Sequence, residues 1–217
     1  MMINKIRKNE PWWKSEYIVL DLEGTGFQHK EKEGIVEVAA LHVCDGKILN
    51  NFYYEMINPE IEIPPMVSRI HGLKNKDLIN KPTFFEIKNS LFNLLQGKIL
   101  VGHHVSVDYK LLKLKMPNYK PSLILDTKKI SKHYWRNERK HSLDSLIEKF
   151  EIQDALIDLP IKRGRHSAYY DAFATSIIFI KMMTDKFSNN STLQELIRIA
   201  RIDRVEDSNN LQGSLFE

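Results

Sequence analysis

The 217-residue sequence contains a single cysteine, Cys44. One thiol excludes a disulfide framework and a cysteine-built zinc site, and its place in an apolar run reads as that of a small core residue. No apolar run approaches the length of a membrane span, which excludes a transmembrane helix and a membrane partner. The opening residues MMINKIRKNEPWW lack the apolar centre of a signal peptide, so the expected location is cytoplasmic. Internal repeats and low-complexity tracts are absent, which sets repeat arrays aside. Charge of one sign is not in large excess: 32 basic against 28 acidic residues leave a net charge of +4 and a pI near 9.0, compatible with a polyanionic partner. Hydrophobic residues at 42% and charged ones at 28% are those of an ordinary globular chain. The length suits one domain with appendages.

What the chain does have is the stretch Tyr17 to Gly26, YIVLDLEGTG. Tyr17, Ile18, Val19, Leu20 and Leu22 read as a buried strand, because β-branched and apolar side chains suit the pleat. Into it the sequence sets Asp21 and Glu23, one residue apart and therefore on the same face. Gly24-Thr25-Gly26 ends the strand in a turn where backbone can approach a ligand closely. Two like charges on one face of a buried strand are costly unless a cation sits between them, and carboxylate oxygens suit magnesium or manganese. Taken alone, such a pair is also an ordinary solvated strand end, so the rest of the chain decides.

Residues 1–16 form a basic lead-in whose Trp12 and Trp13 cover an edge of the core. A second strand is expected over 35–43, with Asp45-Gly46 as a hairpin turn, and a third from Asn51 to Ile57. After the segment IEIPPMVSRIHGL, Thr83 to Glu86 forms a capping box for a helix with Ile87, Leu91, Leu94 and Leu95 on one stripe, stopped at Gly97. Lys98 to Val101 is a short buried strand and a helix follows near Val107-Asp108. Leu123 to Leu125 is another strand. Ser142 caps a helix bearing Leu143, Leu146, Ile147 and Phe150. The last long helix runs from about Ser167 to Met183 with Tyr169, Phe173, Ile177 and Ile180 as its apolar face. The order βββαβαβαα describes an α/β fold, a mixed central sheet of three antiparallel strands then alternating α/β, flanked by helices. The domain is expected over 17–185, followed by a linker, a short helix capped at Thr192, and a tail over 186–217.

Three further polar residues stand at element ends. Asp108 sits at a helix start, where exposed amides orient a carboxylate. His166 and Asp171 straddle the start of the last long helix. On one regular helix their spacing would set them well over a third of a turn apart, so they converge only if His166 lies before or at the N-cap, with Gly164 supplying slack. Four carboxylates and a histidine are what two-metal phosphodiester hydrolysis requires; a histidine of ordinary pKa near ~6.5 accepts a proton from water at cellular pH.

These residues resemble the motifs of the DnaQ-like 3′→5′ exonucleases of the DEDDh type. Asp21-Leu22-Glu23-Gly24-Thr25-Gly26 is similar to the family's D-x-E-[TG]-T-G. His103-His104-Val105-Ser106-Val107-Asp108, with Leu111-Leu112, is similar to H-N-x-x-F-D. His166 to Asp171 matches H-x4-D, and Ile70-His71-Gly72-Leu73 and the HSLDSL segment at 141–146 are also familiar. The resemblance covers roughly residues 17–183. It implies the ribonuclease-H-like exonuclease fold, with Asp21, Glu23, Asp108 and Asp171 binding two divalent ions, Mg2+ or Mn2+, and His166 as general base. It further implies that Gly24, Thr25 and Gly26 lie against the terminal nucleotide, with Phe27 or Leu73 packing on its base or sugar. His104 stands where the family has asparagine and Val107 where it has phenylalanine; both bear on how the strand end is held.

At the chain end, Gln212-Gly213-Ser214-Leu215-Phe216 resembles the bacterial sliding-clamp-binding pentapeptide, with Gln212, Ser214, Leu215 and Phe216 as the contact residues. The expected function is therefore a 3′→5′ exonuclease acting on single-stranded or frayed DNA 3′ ends in proofreading or repair. A sliding clamp and a DNA polymerase are the protein partners. The alternatives are an exoribonuclease of the same fold, since the motifs do not read the 2′-OH, and a catalytically silent clamp-tethered module.

Overall fold

The alternation along the first strand determines how the molecule is layered. In the computed structural model, which describes residues 7–26 and 33–203, β1 (Tyr17–Gly24), β2 (Ile35–Cys44), β3 (Lys47–Met56), β4 (Ile99–Gly102) and β5 (Leu123–Asp126) form one sheet in the spatial order β3-β2-β1-β4-β5. β1 pairs antiparallel with β2 and parallel with β4, and β4 runs parallel to β5. The described helices are α1 (Pro65–His71), α2 (Asn75–Leu78), α3 (Phe84–Leu95), α4 (Ser106–Lys115), α5 (Thr127–Tyr134), α6 (Leu143–Lys149), α7 (Ala168–Lys186) and α8 (Leu193–Ala200). The mixed α/β architecture is the one expected from the sequence. None of these helices is long and apolar enough to cross a membrane.

Tyr17 and Val19 point to one face of the sheet, where they pack with Phe179, Met182 and Met183 of α7 and with residues of α5, α6 and α8. Ile18 and Leu20 point to the other, against Ile87, Leu91 and Leu95 of α3 and Leu111 and Leu112 of α4. Each such fully buried side chain contributes about 1.5–3 kcal/mol of transfer free energy, so register is strongly fixed: a slip of one residue would exchange the two faces. The same alternation puts Asp21 and Glu23 on the α7 face. Tyr17 meets Phe179 edge-on at 5.1 Å between ring centroids. From that contact, β1 advances about 13 Å to Asp21 while α7 goes back about 12 Å to Asp171. The strand's acids and the helix's acid thus arrive at the same level.

Several boundaries differ from those read in the sequence. β3 begins at Lys47 rather than Asn51, because Asp45 and Gly46, both with positive φ, make a two-residue turn that zips Cys44 directly onto Lys47. Cys44 itself is half-buried at the strand end rather than in the core. α5 was absent from the expected order; it forms because Asp126 caps it by accepting the Lys128 N–H at 2.8 Å. The deeply buried residues of α7 include Tyr169, Ala172, Ile178, Phe179, Met182 and Met183, whereas Phe173, Ile177 and Ile180 are only partly covered. The helix is packed over a face wider than one narrow stripe, by the sheet beneath and by α5 and α6 beside it. Trp12 is buried in this same core and Trp13 packs partly against it.

Candidate active site

Asp21, Glu23 and Asp171 each offer a carboxylate oxygen, and the three oxygens lie within 4.8 Å of one another. Asp108 joins them from the first turn of α4: its Oδ1 accepts the Leu22 backbone N–H at 2.9 Å, tying the helix start to β1 between the two strand acids. All four titrate abnormally, and burial is the first cause in each. Burial, followed by the charges of Asp108, Asp171 and Glu23, holds Asp21 well above the ordinary carboxylate range. Burial and then the charge of Asp171 push Glu23 up to about 9. Burial pushes Asp108 up to about 7 against the lowering hydrogen bond from Leu22. Asp171 is also raised by burial, with the Arg165 guanidinium acting against it. A set of acids that raise one another's pKa is a site that gains most from a cation.

The donor set fits hard divalent ions. Carboxylate oxygens converge without a competing thiol or imidazole in the trio, and Asp171 Oδ1 is buried with no hydrogen-bond partner. His166 stands directly before the N-cap of α7, Ser167, in a left-handed backbone conformation (φ 62°). It is solvent-exposed and its Nδ1 lies 3.3 Å from Arg165 Nη1. Position and exposure give the imidazole room to face the acidic trio from outside.

Much of what holds this loop is not evident from the sequence. Glu37, the lone acid in the largely apolar β2, is fully buried. It is cross-strand neighbour to Glu23. Its carboxylate receives the Tyr54 hydroxyl at 2.6 Å and the Ala168 N–H at 3.2 Å, and Arg163 Nε lies 2.9 Å from Oε1. Arg163 also donates to the His71 carbonyl at 2.6 Å. The Ile70–Leu73 segment thus serves as an anchor for the loop that carries His166. Arg165 in turn bridges Asp144 and Asp171. The sequence signal for these residues is thin: an acid interrupting a buried strand, and two arginines in the run before α7.

His103 is enclosed: Nδ1 meets Thr127 Oγ1 at 2.9 Å and Nε2 the His141 carbonyl at 3.0 Å, and burial lowers its pKa to about 4. His104 is exposed and has φ 63°, with its N–H donating to Asp126 Oδ1 at 2.9 Å. The left-handed conformation accounts for an asparagine at this position in the resembled motif, since asparagine tolerates it best among residues with a Cβ. Val107 is half-exposed.

The expected nucleotide-contacting residues separate. Gly26 has φ 77°, and a Cβ there would meet Val67 of α1 at 2.6 Å, so only glycine lets α1 close on the turn. Gly24 ends β1 at a register shift. Thr25 is buried and its hydroxyl accepts the Gly34 N–H at 2.9 Å, pinching the base of the loop. Leu73, expected to pack on a base or sugar, has its side chain 1% exposed and fills a small core with Val36, Ile63 and Leu78. Phe27 and the tail residues Gln212, Ser214, Leu215 and Phe216 lie outside the described residues.

Fold and site together define an α/β protein with a carboxylate cluster at the carboxyl end of its central strand. A family model described as exonuclease, of the RNase T type, matches residues 18–179, and the chain belongs to that family. Its similarity to the DNA polymerase III epsilon subunit of Aquifex aeolicus is 29% identity over 175 residues, covering 78% of this chain and 81% of that protein. It is 28% identical over 179 residues to the PolC-type DNA polymerase III of Caldanaerobacter subterraneus, covering 81% of this chain and spanning 12% of that much longer protein. The solved structure of exonuclease X in complex with 5′-overhanging duplex DNA superposes with a TM-score of 0.66. At 23% identity it covers 83% of this chain and 98% of that one, a likeness of fold.

Proposed function

We propose that this chain is a divalent-metal-dependent 3′→5′ exonuclease that removes nucleotides from single-stranded or frayed DNA 3′ ends. The observation that carries the reading is the convergence of Asp21, Glu23 and Asp171 within 4.8 Å, with Asp108 tied to the same strand. These four residues would hold two magnesium or manganese ions, which supply an activated water and charge stabilisation for the leaving oxygen. The chain's own groups do the rest. Leu22 N–H holds Asp108 in place. The brace from Glu37 and Arg163 fixes the loop, so that His166 faces the site from solvent and takes the proton of the attacking water. Gly26, with α1 closed on it, shapes the seat for the terminal nucleotide.

The catalytic unit is assigned to residues 17–185. The tail segment Gln212–Phe216 would tether it to a sliding clamp, with Leu215 and Phe216 in an apolar pocket of the partner and Gln212 and Ser214 hydrogen-bonding at its rim. The similarity to epsilon subunits favours work beside a polymerase, in proofreading or repair. A polar tether joined to a nuclease also favours DNA over RNA as substrate. The test is degradation of matched 5′-labelled single-stranded DNA and RNA, with magnesium and with chelator. A DNA ladder shortening from the 3′ end, abolished by chelator, supports the proposal; equal or faster loss of RNA reassigns the substrate. Deleting residues 211–217 should abolish clamp binding and leave cleavage of short oligonucleotides unchanged.

A further inference from the structure

Arg165 places one guanidinium against three groups. Nη1 is ion-paired to Asp171 Oδ2 and lies 3.3 Å from His166 Nδ1, while Nε pairs with Asp144 Oδ1 and Nη2 reaches Asp144 Oδ2 at 3.3 Å. Asp171 is one of the three clustered acids, and His166 is the histidine assigned to proton transfer. We infer that Arg165 is a resident counter-cation that a divalent ion must displace from Asp171, so that this side chain sets the affinity of the site for metal. The inference rests on the metal reading above and concerns what the protein's own residues do about it.

The physical argument has three steps. Asp21, Glu23, Asp108 and Asp171 gather four carboxyl groups in one corner, the first two half-buried and the last two buried, and a single guanidinium pairs with one of them. A charge-assisted pair at a largely buried carboxylate is among the stronger polar contacts in a protein, so an incoming ion finds Asp171 Oδ1 without a partner but competes with Arg165 for Oδ2. Asp144 makes the exchange reversible. It sits outside the acidic trio, exposed over half its side chain, and it grips Arg165 through two nitrogens in a fork. When Asp171 turns to a metal ion, Arg165 retains Asp144 as its partner, and the planar guanidinium must rotate as one rigid unit about that contact to carry Nη1 away.

The same rotation frees the histidine. Arginine always donates, so the contact at His166 Nδ1 uses that nitrogen as an acceptor and leaves the neutral ring its proton on Nε2. Displacing Arg165 from Asp171 removes this donor as well, and Nδ1 becomes available. One side chain therefore engages a metal ligand and the proton acceptor together, and one event releases both.

The test is calorimetric titration of Mn2+ into the full chain without nucleic acid, for wild type, Arg165→Gln and Asp144→Asn. Removing the guanidinium should tighten Mn2+ binding roughly tenfold, the gain expected when a competent state otherwise ~10% populated becomes the resting one. Asp144→Asn removes the place to which Arg165 retreats and should weaken Mn2+ binding by about threefold. Opposite signs from two neighbouring variants are not produced by partial unfolding, which weakens both. Arg165→Gln binding no tighter than wild type, or Asp144→Asn binding tighter, overturns the displacement role while leaving the metal site intact. Failure of all three proteins to bind Mn2+ overturns the metal site and this inference with it.

Discussion

Arg163 Nε lies 2.9 Å from Glu37 Oε1, joining the loop before α7 to a fully buried carboxylate near the start of β2. Glu37 also accepts from Tyr54 and from Ala168 at the start of α7, so one carboxylate fixes a strand, a loop and a helix terminus. Glu37→Gln keeps the shape but leaves the half-buried Arg163 without its counter-charge, and should destabilise the protein by about 1–3 kcal/mol in denaturant unfolding. Surviving folded protein should show reduced kcat, because the loop bearing His166 loses its brace. Unchanged stability and turnover would show that Arg163 and Glu37 are not the brace.

His166→Ala removes the proposed proton acceptor from an exposed position that carries no core packing. Turnover should fall by about 10²- to 10⁴-fold while DNA binding in the presence of Ca2+ stays within about twofold. Equal losses in binding and turnover would instead assign His166 to holding the substrate.

His104 occupies a left-handed backbone conformation. His104→Asn should raise stability slightly, by a few tenths to about 1 kcal/mol, whereas His104→Ala should not raise it, since asparagine can offset the steric cost of the left-handed conformation with a local hydrogen bond and alanine cannot. Thermal unfolding of the two variants makes the comparison.

Burial lowers the His103 pKa to about 4 from its ordinary 6.5. The folded state resists protonation, so the stabilisation from the neutral ring is complete above about pH 6.5 and is lost as pH falls toward about 4. The stability difference between wild type and His103→Gln should therefore shrink over that window, by of order 2–3 kcal/mol. A difference independent of pH between 4 and 7 contradicts the assignment.

The framework of the acidic cluster was legible in the sequence to the extent that it depends on local periodicity. Alternation in YIVLDLEGTG placed Asp21 and Glu23 on one face, and the spacing of His166 from Asp171 required the histidine to sit outside the helix, where the structure has it. The capping boxes at Thr83 and Thr192 read correctly because both partners lie within four residues. The brace did not read, because Glu37 and Ala168 are 131 positions apart and only the fold brings them together. Helix α5 was overlooked for a related reason: TKKISKHY buries Thr127, Ile130 and Ser131, too few apolar residues to show a stripe. The packing of Leu73 did not read either, because a leucine in a loop is equally suited to a small core, and Val36, Ile63 and Leu78 supply one.

The central claim, that the acids are a hydrolytic metal site, is tested most directly by Asp21→Asn. Asp21 is held above the normal carboxylate range by burial and by Asp108, Asp171 and Glu23, so its charged form costs the metal-free fold stability, while the same charge would serve the proposed metal site. The measurement pairs magnesium-dependent release of nucleotides from the 3′ end of 5′-labelled single-stranded DNA with metal-free denaturant unfolding at pH 8. The account predicts hydrolysis reduced to background together with an increase in metal-free stability of about 1 kcal/mol or more. Hydrolysis at the wild-type rate by a folded Asp21→Asn protein would contradict it.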